Sequence, residues 1–323
     1  MKLLILDILQ SNKYNYVSGE DISKTLGVTR AAIWKYIKSL QEEGYVIESS
    51  PRKGYKLTFA PSKLSIDKLT SNLSENTLVK KILYFDTIES TNDYCKKNSE
   101  NIQNGTIVLT DHQLKGRGRF DRNWFSPKGK GIYCSIYLKP ELSPYEISKI
   151  TSITCAAIIE VLHSYNIDAK VKWPNDIYIN NKKIGGILTE MKGDMDRINY
   201  LIIGFGLNVN QESFEFPEEI SSIATSLKTV YNKDFNRELL LTDILNKLEN
   251  FYNNFSENFN FEYPLRVLRN NSYVINKSVT LIKGKELIQG KVINLGENGE
   301  LIIERNGKTE SVFSGEISLK INS

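Results

Sequence analysis

The residues best suited to chemistry in this chain are cations. The stretch HQLKGRGRFDRNW, residues 112–124, sets Lys115, Arg117, Arg119 and Arg122 against a single acid, Asp121. Gly116 and Gly118 let backbone amides turn toward an anion, while alternating arginines supply fork-shaped donors that match carboxylate or phosphate. It is no nucleotide fingerprint: a GxGxxG would need Gly at 121, and Gly307-Lys308-Thr309 is not a Walker motif because position 302 is Ile. A basic loop by itself more often marks a solvated face, but Trp124 offers an anchor to fold this one over a ligand.

Three further segments carry polar groups at suggestive spacing. In VKWPNDIYINNKKIGGILTE, residues 171–190, Lys172 lies on a strand between apolar Val171 and Trp173, so its ammonium needs an anionic partner. A ligand is one such partner; a plain hairpin turning at Asn180-Asn181, with a salt-bridged lysine, explains the segment equally well. Pro174 breaks the strand, Asn175 and Asp176 mark a turn, and Gly185-Gly186 permits close backbone approach. GFGLNVN, residues 204–210, ends an apolar strand, where two glycines open space and Asn208 is available to a ligand, although tight β-packing accounts for it too. Ser90-Thr91-Asn92-Asp93 follows a strand and opens a helix. It reads as a capping box or as a site for a small polar headgroup.

Other chemistries are excluded by what is scarce. With only His112 and His163, a three-histidine zinc site is impossible. A Ser/His/Asp triad lacks its GxSxG elbow, and His163 falls on the surface of an amphipathic run, 145–166. Cys95, Cys134 and Cys155 are odd in number and form no CxxC, which argues for a reducing cytoplasm rather than a disulfide framework. No signal peptide or transmembrane helix is expected, since the longest apolar stretch, Tyr200 to Val209, is half a membrane span.

The elements that must position these groups fall into three parts. Leu3, Leu4, Ile5, Ile8 and Leu9 mark a first helix; residues 19–26 and 29–40 form two more around Gly27, with Thr29 as N-cap and Ile33, Ile37 and Leu40 inward. Arg30, Trp34, Lys35 and Lys38 are left facing out. Gly44 ends the helix, and YVIESSPRKGYKLTF forms a hairpin turning at residues 49–54 with Arg52 and Lys53 at its tip. That is a winged helix-turn-helix pattern, whose DNA-binding stretch runs from Gly19 to Lys38. Its charge agrees: residues 1–60 hold nine Lys+Arg against six Asp+Glu, so +3 of the whole chain's +4 lies there. Residues 60–76, with Pro61 and four serines, read as a linker into the next unit.

From residue 81, short strands (KILYF, GTIVLTD, GIYCSIYLK, AKVKW, DIYIN, NYLIIGFGLNVN) alternate with helices near 92–99, 145–166 and 237–256. They predict a mixed α/β domain on one main sheet, in which GIYCSIYLK turns Ile132, Cys134, Ile136 and Leu138 toward a core. After Tyr263-Pro264 the chain turns to strands punctuated by Gly284, Gly290, Gly296, Gly299 and Gly307, which predicts a small SH3-like β-barrel. The fold class is therefore α+β multidomain, with expected domains 1–62, 63–268 and 269–323. The 323 residues, 40% hydrophobic and 25% charged, suffice for such cores.

GRGRFDRNW, KWPND, KIGGILTE and GFGLNVN in this order, behind a winged helix and before a small barrel, resemble the biotin protein ligases that also repress biotin operons. The resemblance implies a two-step reaction: ATP and biotin form biotinyl-5'-AMP, and a lysine of the biotin carboxyl carrier protein of acetyl-CoA carboxylase then takes the biotinyl group. It implies Ser90, Thr91, Asn92, Gln113, Arg117, Gly118, Arg119 and Lys172 as the biotin site, with Arg119 and Lys172 as catalytic cations. Trp124 and Asn208 lie on the nucleotide side, and Asp176 is expected to brace Lys172, the alternative being that it takes the incoming ammonium's proton. Mg²⁺ enters with ATP and no metal site belongs to the protein. The adenylate is also corepressor, and the loaded enzyme forms a homodimer that binds operator DNA. Asp121 is expected to pair with Arg119 or Arg122 in the empty loop. Two alternatives stay open: a repressor that senses a small acid without catalysis, and a ligase whose winged helix does not bind DNA.

Overall fold

The structure, a computed structural model, describes residues 1–12, 15–42, 45–59, 64–73, 75, 77–194, 197–283 and 286–319. The readings at Gly44, Pro61 and Gly284 and the 62/63 boundary lie outside these residues. The chain divides into two compact units, Met1–Lys63 with Pro127–Lys130, and Leu64–Ser126 with Gly131–Ser323.

The first unit has helices α1 (Lys2–Ser11), α2 (Gly19–Leu26) and α3 (Arg30–Glu42), followed by the antiparallel strands β1 (Val46–Ser50) and β2 (Gly54–Phe59). Ser18 caps α2 by accepting from the Glu20 amide, Gly27 ends it in the left-handed conformation, and Thr29 Oγ1 accepts from the Ala32 amide at the start of α3. Ile22, Ile33, Ile37 and Leu40 then close a core with Ile5, Leu6, Leu9, Ile47 and Leu57. Arg30, Trp34, Lys35 and Lys38 are exposed on α3, as are Arg52 and Lys53 between the two strands. Gly54, at φ +102°, is obligatory: a Cβ there would sit 2.1 Å from the Val17 carbonyl oxygen.

The second unit begins with α4 (Ile66–Asn72), which corrects the linker expected over 60–76 because Ser65 caps a helix that buries Leu69, and it builds a seven-stranded sheet from β3 (Lys81–Phe85), β4 (Thr106–Thr110), β5 (Gly131–Leu138), β6 (Lys170–Lys172), β7 (Asp176–Ile179), β8 (Lys182–Gly193) and β9 (Ile198–Asn208). Its order is β3-β4-β5-β9-β8-β7-β6, parallel only between β3 and β4. Helix α5 (Thr91–Lys97) packs on one face over Val108, Tyr137 and Ile202. The other face carries α6 (Ile147–Ser164) and, after short α7 (Glu218–Ser221) and α8 (Leu227–Tyr231), the long α9 (Arg237–Asn258). Segment 144–164 is long and apolar enough to cross a membrane, but it is mostly buried in this core. Strand β5 corrects the expectation of one buried face, because all eight of its residues are buried between the two helical layers.

The chain does not turn to strands at Pro264. That proline occupies the third position of helix α10 (Glu262–Asn270), where its missing N–H has no intrahelical acceptor to lose, and Leu265 and Leu268 are buried beneath it. The helix runs across the expected 268/269 boundary. Strands β10 (Ser278–Lys283), β11 (Glu286–Leu295), β12 (Leu301–Arg305), β13 (Lys308–Val312) and β14 (Glu316–Leu319) form an antiparallel sheet in the order β13-β12-β11-β10-β14. Among the described residues no pairing joins β13 to β14, so the expected barrel is an open sheet. Its outer strand β13 faces solvent with Lys308 and Glu310 exposed, charges that blunt a free edge.

Candidate active site

One cross-strand row fixes the site. Lys172 pairs with Asp176, Asp176 with Gly186, Gly186 with Gly206, and Gly206 with Tyr133. Directly paired residues share a face, so two glycines lie between Tyr133 at one end of the row and the Asp176–Lys172 pair at the other. A pocket of about 390 Å³ opens on this face of the sheet. The two glycines of GFGLNVN define what fills it. A Cβ at Gly204 would lie 2.0 Å from Asn92 Oδ1, and one at Gly206 would lie 2.4 Å from Trp124 Nε1.

Around Gly204 the pocket is lined by neutral groups that satisfy one another. Ser90 caps α5, its Oγ accepting from the Asp93 amide. The Thr91 amide and hydroxyl both donate to Gln113 Oε1, at 3.0 and 3.2 Å, and Gln113 Nε2 donates to Ser126 Oγ at 3.0 Å. Asn92 Nδ2 donates to the Leu188 carbonyl and to Glu190 Oε2, while its Oδ1 lies 2.5 Å from Ser135 Oγ. Ser135, on β5, is a pocket-side residue that the sequence reading did not single out.

The arginine loop is closed. The Trp124 amide donates to the Gly116 carbonyl and the Gly118 amide to the Arg122 carbonyl, which makes residues 116–124 a miniature hairpin. Arg117 Nη1 donates to Asp93 at 2.7 Å and lies 3.7 Å from Glu190, and the Asp93 carboxylate raises the arginine's pKa. Arg119 Nη1 donates to Asn175 Oδ1 at 2.9 Å and Nη2 to the Gly315 carbonyl at 3.3 Å; burial lowers its pKa. Arg122 makes a two-pronged ion pair with Glu316, at 2.7 and 2.8 Å, which holds that carboxyl below its ordinary range. The loop thus leans on β14. Asp121 corrects the expectation: it pairs with Arg117 at 3.5 Å, not with Arg119 or Arg122, because the tight turn at 119–121 leaves its side chain 94% exposed.

The cationic end is incompletely neutralised. Lys172 Nζ donates to Tyr178 Oη at 3.4 Å, and burial lowers its pKa. Among the described residues no carboxylate lies within ion-pair distance of it. Asp176 does not brace Lys172 by contact, since its Oδ1 lies 2.7 Å from Lys183 Nζ, which reaches it across the space left by Gly186. Lys183, Asn175, Tyr178 and Glu316 are further lining residues that the sequence reading did not assign. Trp124 has Lys183 5.4 Å from its ring centre, and its buried Nε1 has no acceptor among the described residues. Ile220, Ile223 and Ala224 line the pocket as well. Asn208 lines it too, but its Nδ2 donates to the Thr225 carbonyl and its Oδ1 accepts from Gln211, both at 3.0 Å. Gly118 sits at the loop's inner turn.

No group of three or more His, Cys, Asp or Glu suited to a metal occurs among the described residues. The one pocket acid on the row, Asp176, already has a lysine partner, so the donor set does not fit a resident metal ion.

Residues 84–208 match the biotin/lipoate A/B protein ligase family, and residues 2–56 match an HTH domain family. The bifunctional ligase/repressor BirA of Bacillus subtilis is 33% identical over 98% of this chain and 97% of its own length; that of Escherichia coli is 29% identical over 98% and 97%. Among solved structures, the biotin protein ligase of Aquifex aeolicus in complex with biotin and ATP aligns with a TM-score of 0.65 at 31% identity, covering 75% of this chain and 99% of that one.

Proposed function

The chain belongs to the family of bifunctional biotin ligase/repressors, ATP-dependent biotin–protein ligases that carry a DNA-binding domain, and on that premise we propose how its residues divide the work. The observation that carries the reading is Lys172, a half-buried ammonium at the end of a glycine-floored row with no carboxylate in contact among the described residues. Such a cation accommodates two anions that repel each other, and condensation of a carboxylate with a triphosphate needs that charge more than it needs a nucleophilic side chain.

The neutral end, Ser90, Thr91, Asn92 and Gln113 with Ser135 behind them, takes the biotin headgroup. Its carboxylate then points toward Lys172 and Arg119, and an oxygen of that carboxylate attacks the α-phosphorus of ATP while pyrophosphate leaves. The nucleotide base lies against Trp124, whose unsatisfied Nε1 offers it a hydrogen bond, and against Ile220 and Ile223. Asn208 supports that side through Thr225 rather than by a free amide. In the second step the carrier's lysine amine attacks the acyl carbon, AMP departs with the electrons of the acyl–phosphate bond, and the amine loses its proton. Arg117, Gly118, Arg119 and Arg122 keep water from the adenylate while the loop stays shut. Mg²⁺ accompanies ATP and is held by its phosphates.

The first unit supplies the repressor half. Arg30, Lys35 and Lys38 on α3 enter the major groove, and Arg52 and Lys53 meet flanking phosphates. The adenylate acts as corepressor, and the adenylate-bound protein is a homodimer, working in the cytoplasm. Incubation with biotin, Mg-ATP and an acetyl-CoA carboxylase carrier domain, scored by mass, should give one biotinylated lysine. Absence of biotin-dependent exchange of pyrophosphate into ATP would refute the ligase assignment. Promoter DNA of the biotin genes should be retarded only when biotin and ATP are present, with binding that falls steeply with salt; retardation under no condition refutes the repressor half.

A further inference from the structure

Tyr178 stands between the pocket and the outer end of the sheet. Its hydroxyl receives the Lys172 ammonium at 3.4 Å, and the Nζ lies 5.2 Å from its ring centre. Behind it the ring stacks on Tyr273, with centroids 5.1 Å apart at an interplanar angle of 27°. Tyr273 is fixed in turn: its hydroxyl donates to Asn181 Oδ1 at 2.8 Å, its amide to the Val171 carbonyl at 2.8 Å, and the Lys277 ammonium lies 3.7 Å from its ring centre. The phenol that meets Lys172 is therefore braced by a second aromatic side chain tied to the edge strand β6 and to the Asn180-Asn181 turn.

We propose that Tyr178 is a positioning residue for Lys172, a neutral acceptor that aims the ammonium into the pocket without cancelling its charge. The inference deepens the ligase reading above and rests on it. A carboxylate in the same place would hold the lysine more firmly, but it would oppose the approach of a carboxylate and a triphosphate. A phenol supplies one lone pair and no charge, and burial together with the Asp176 charge pushes its ionisation far upward, so it stays protonated. The other charged groups around Lys172 are mixed: Asp176 and Glu316 favour the ammonium, Lys183 and Arg122 oppose it. With burial pulling the ammonium's pKa down, an acceptor that favours the charged form helps keep Lys172 cationic.

The experiment compares the native chain with Tyr178→Phe and Tyr178→Glu. The Lys172 midpoint is read by NMR of ¹⁵N-lysine-labelled protein, with the signal assigned through its loss in Lys172→Met. Biotin-dependent pyrophosphate exchange is measured in parallel. Tyr178→Phe keeps the ring and its stacking partner and removes only the acceptor. Its Lys172 midpoint should fall by roughly half to one pH unit, and its exchange kcat should drop about five- to tenfold, with KM for biotin and ATP little altered. Tyr178→Glu should move the midpoint the opposite way and still lower kcat, a combination that loss of packing does not produce. An unchanged midpoint in both variants, or native kcat in Tyr178→Phe, overturns the proposal. The midpoint is measured without turnover, so the two levels separate. A native chain that shows no exchange defeats the ligase reading, whereas native exchange with an unmoved midpoint defeats only the role of Tyr178.

Discussion

The two ends of the pocket are built on opposite principles. Around Gly204 every polar group is matched: Thr91, Asn92, Gln113, Ser126 and Ser135 form one hydrogen-bonded set with Glu190 and the Leu188 carbonyl. Around Gly206 and Gly186 the groups are charged and underpaired, with Lys172 held by a phenol, Trp124 Nε1 without an acceptor, and Arg119 bonded to an amide oxygen. A network whose members are all paired is rigid because breaking any one leaves others unsatisfied. A half-buried cation with no carboxylate in contact among the described residues favours binding of an anion. Shape is set at the first end, and affinity for charge at the second.

Four variants test that division, beginning with the largest effect. Lys172→Ala should slow pyrophosphate exchange about 10²- to 10³-fold with an unchanged melting temperature; a loss under tenfold would mean that charge is supplied elsewhere. Gly204→Ala drives a methyl group against Asn92 and should cost about 1–3 kcal/mol in stability by denaturant melts. In steady-state kinetics the same variant should raise the biotin KM at least about tenfold, and the ATP KM far less. Gly206→Ala displaces Trp124 instead. It should raise the ATP KM about three- to tenfold and spare biotin, and equal effects on both substrates would erase the distinction between the two ends. The smallest effect belongs to Glu316→Gln, which breaks a partly exposed ion pair and should speed release of biotinyl-adenylate about two- to fivefold.

That pair also carries a pH signature. Arg122 lowers the Glu316 pKa, so the clasp is present at neutral pH, survives below the ordinary glutamate pKa, and is lost as pH falls through the lowered one. Adenylate release from the native protein should therefore accelerate in acid, and release from Glu316→Gln should not show that step.

Much of this arrangement was legible in residue order. The inward stripe Ile33, Ile37 and Leu40 has helical spacing, and the glycines of GFGLNVN announce that something large lies against β9. What fills those spaces was not legible, because Asn92 and Trp124 lie far away along the chain. Ser135 escaped notice because β5 is buried on both faces, so alternation could not mark its small hydroxyl as belonging to the site. Glu316 was hidden by distance, and Asp176 was assigned to its strand neighbour Lys172 although the gap over Gly186 admits Lys183. Tyr263-Pro264 marks the passage to strands in the sequence, yet the proline's place in the first turn of α10 is compatible with a helix there.

The clasp between Arg122 and Glu316 joins residues 194 positions apart. During translation at about 5–20 residues per second, the ribosome adds the glutamate roughly 10–40 s after the arginine. From the addition of Gly206 until that of Glu316, the nascent polypeptide carries Lys172 and the polar set around Gly204 but no latch. Any adenylate made then should leak, so the activity of ribosome-bound chains should appear as free product rather than retained intermediate.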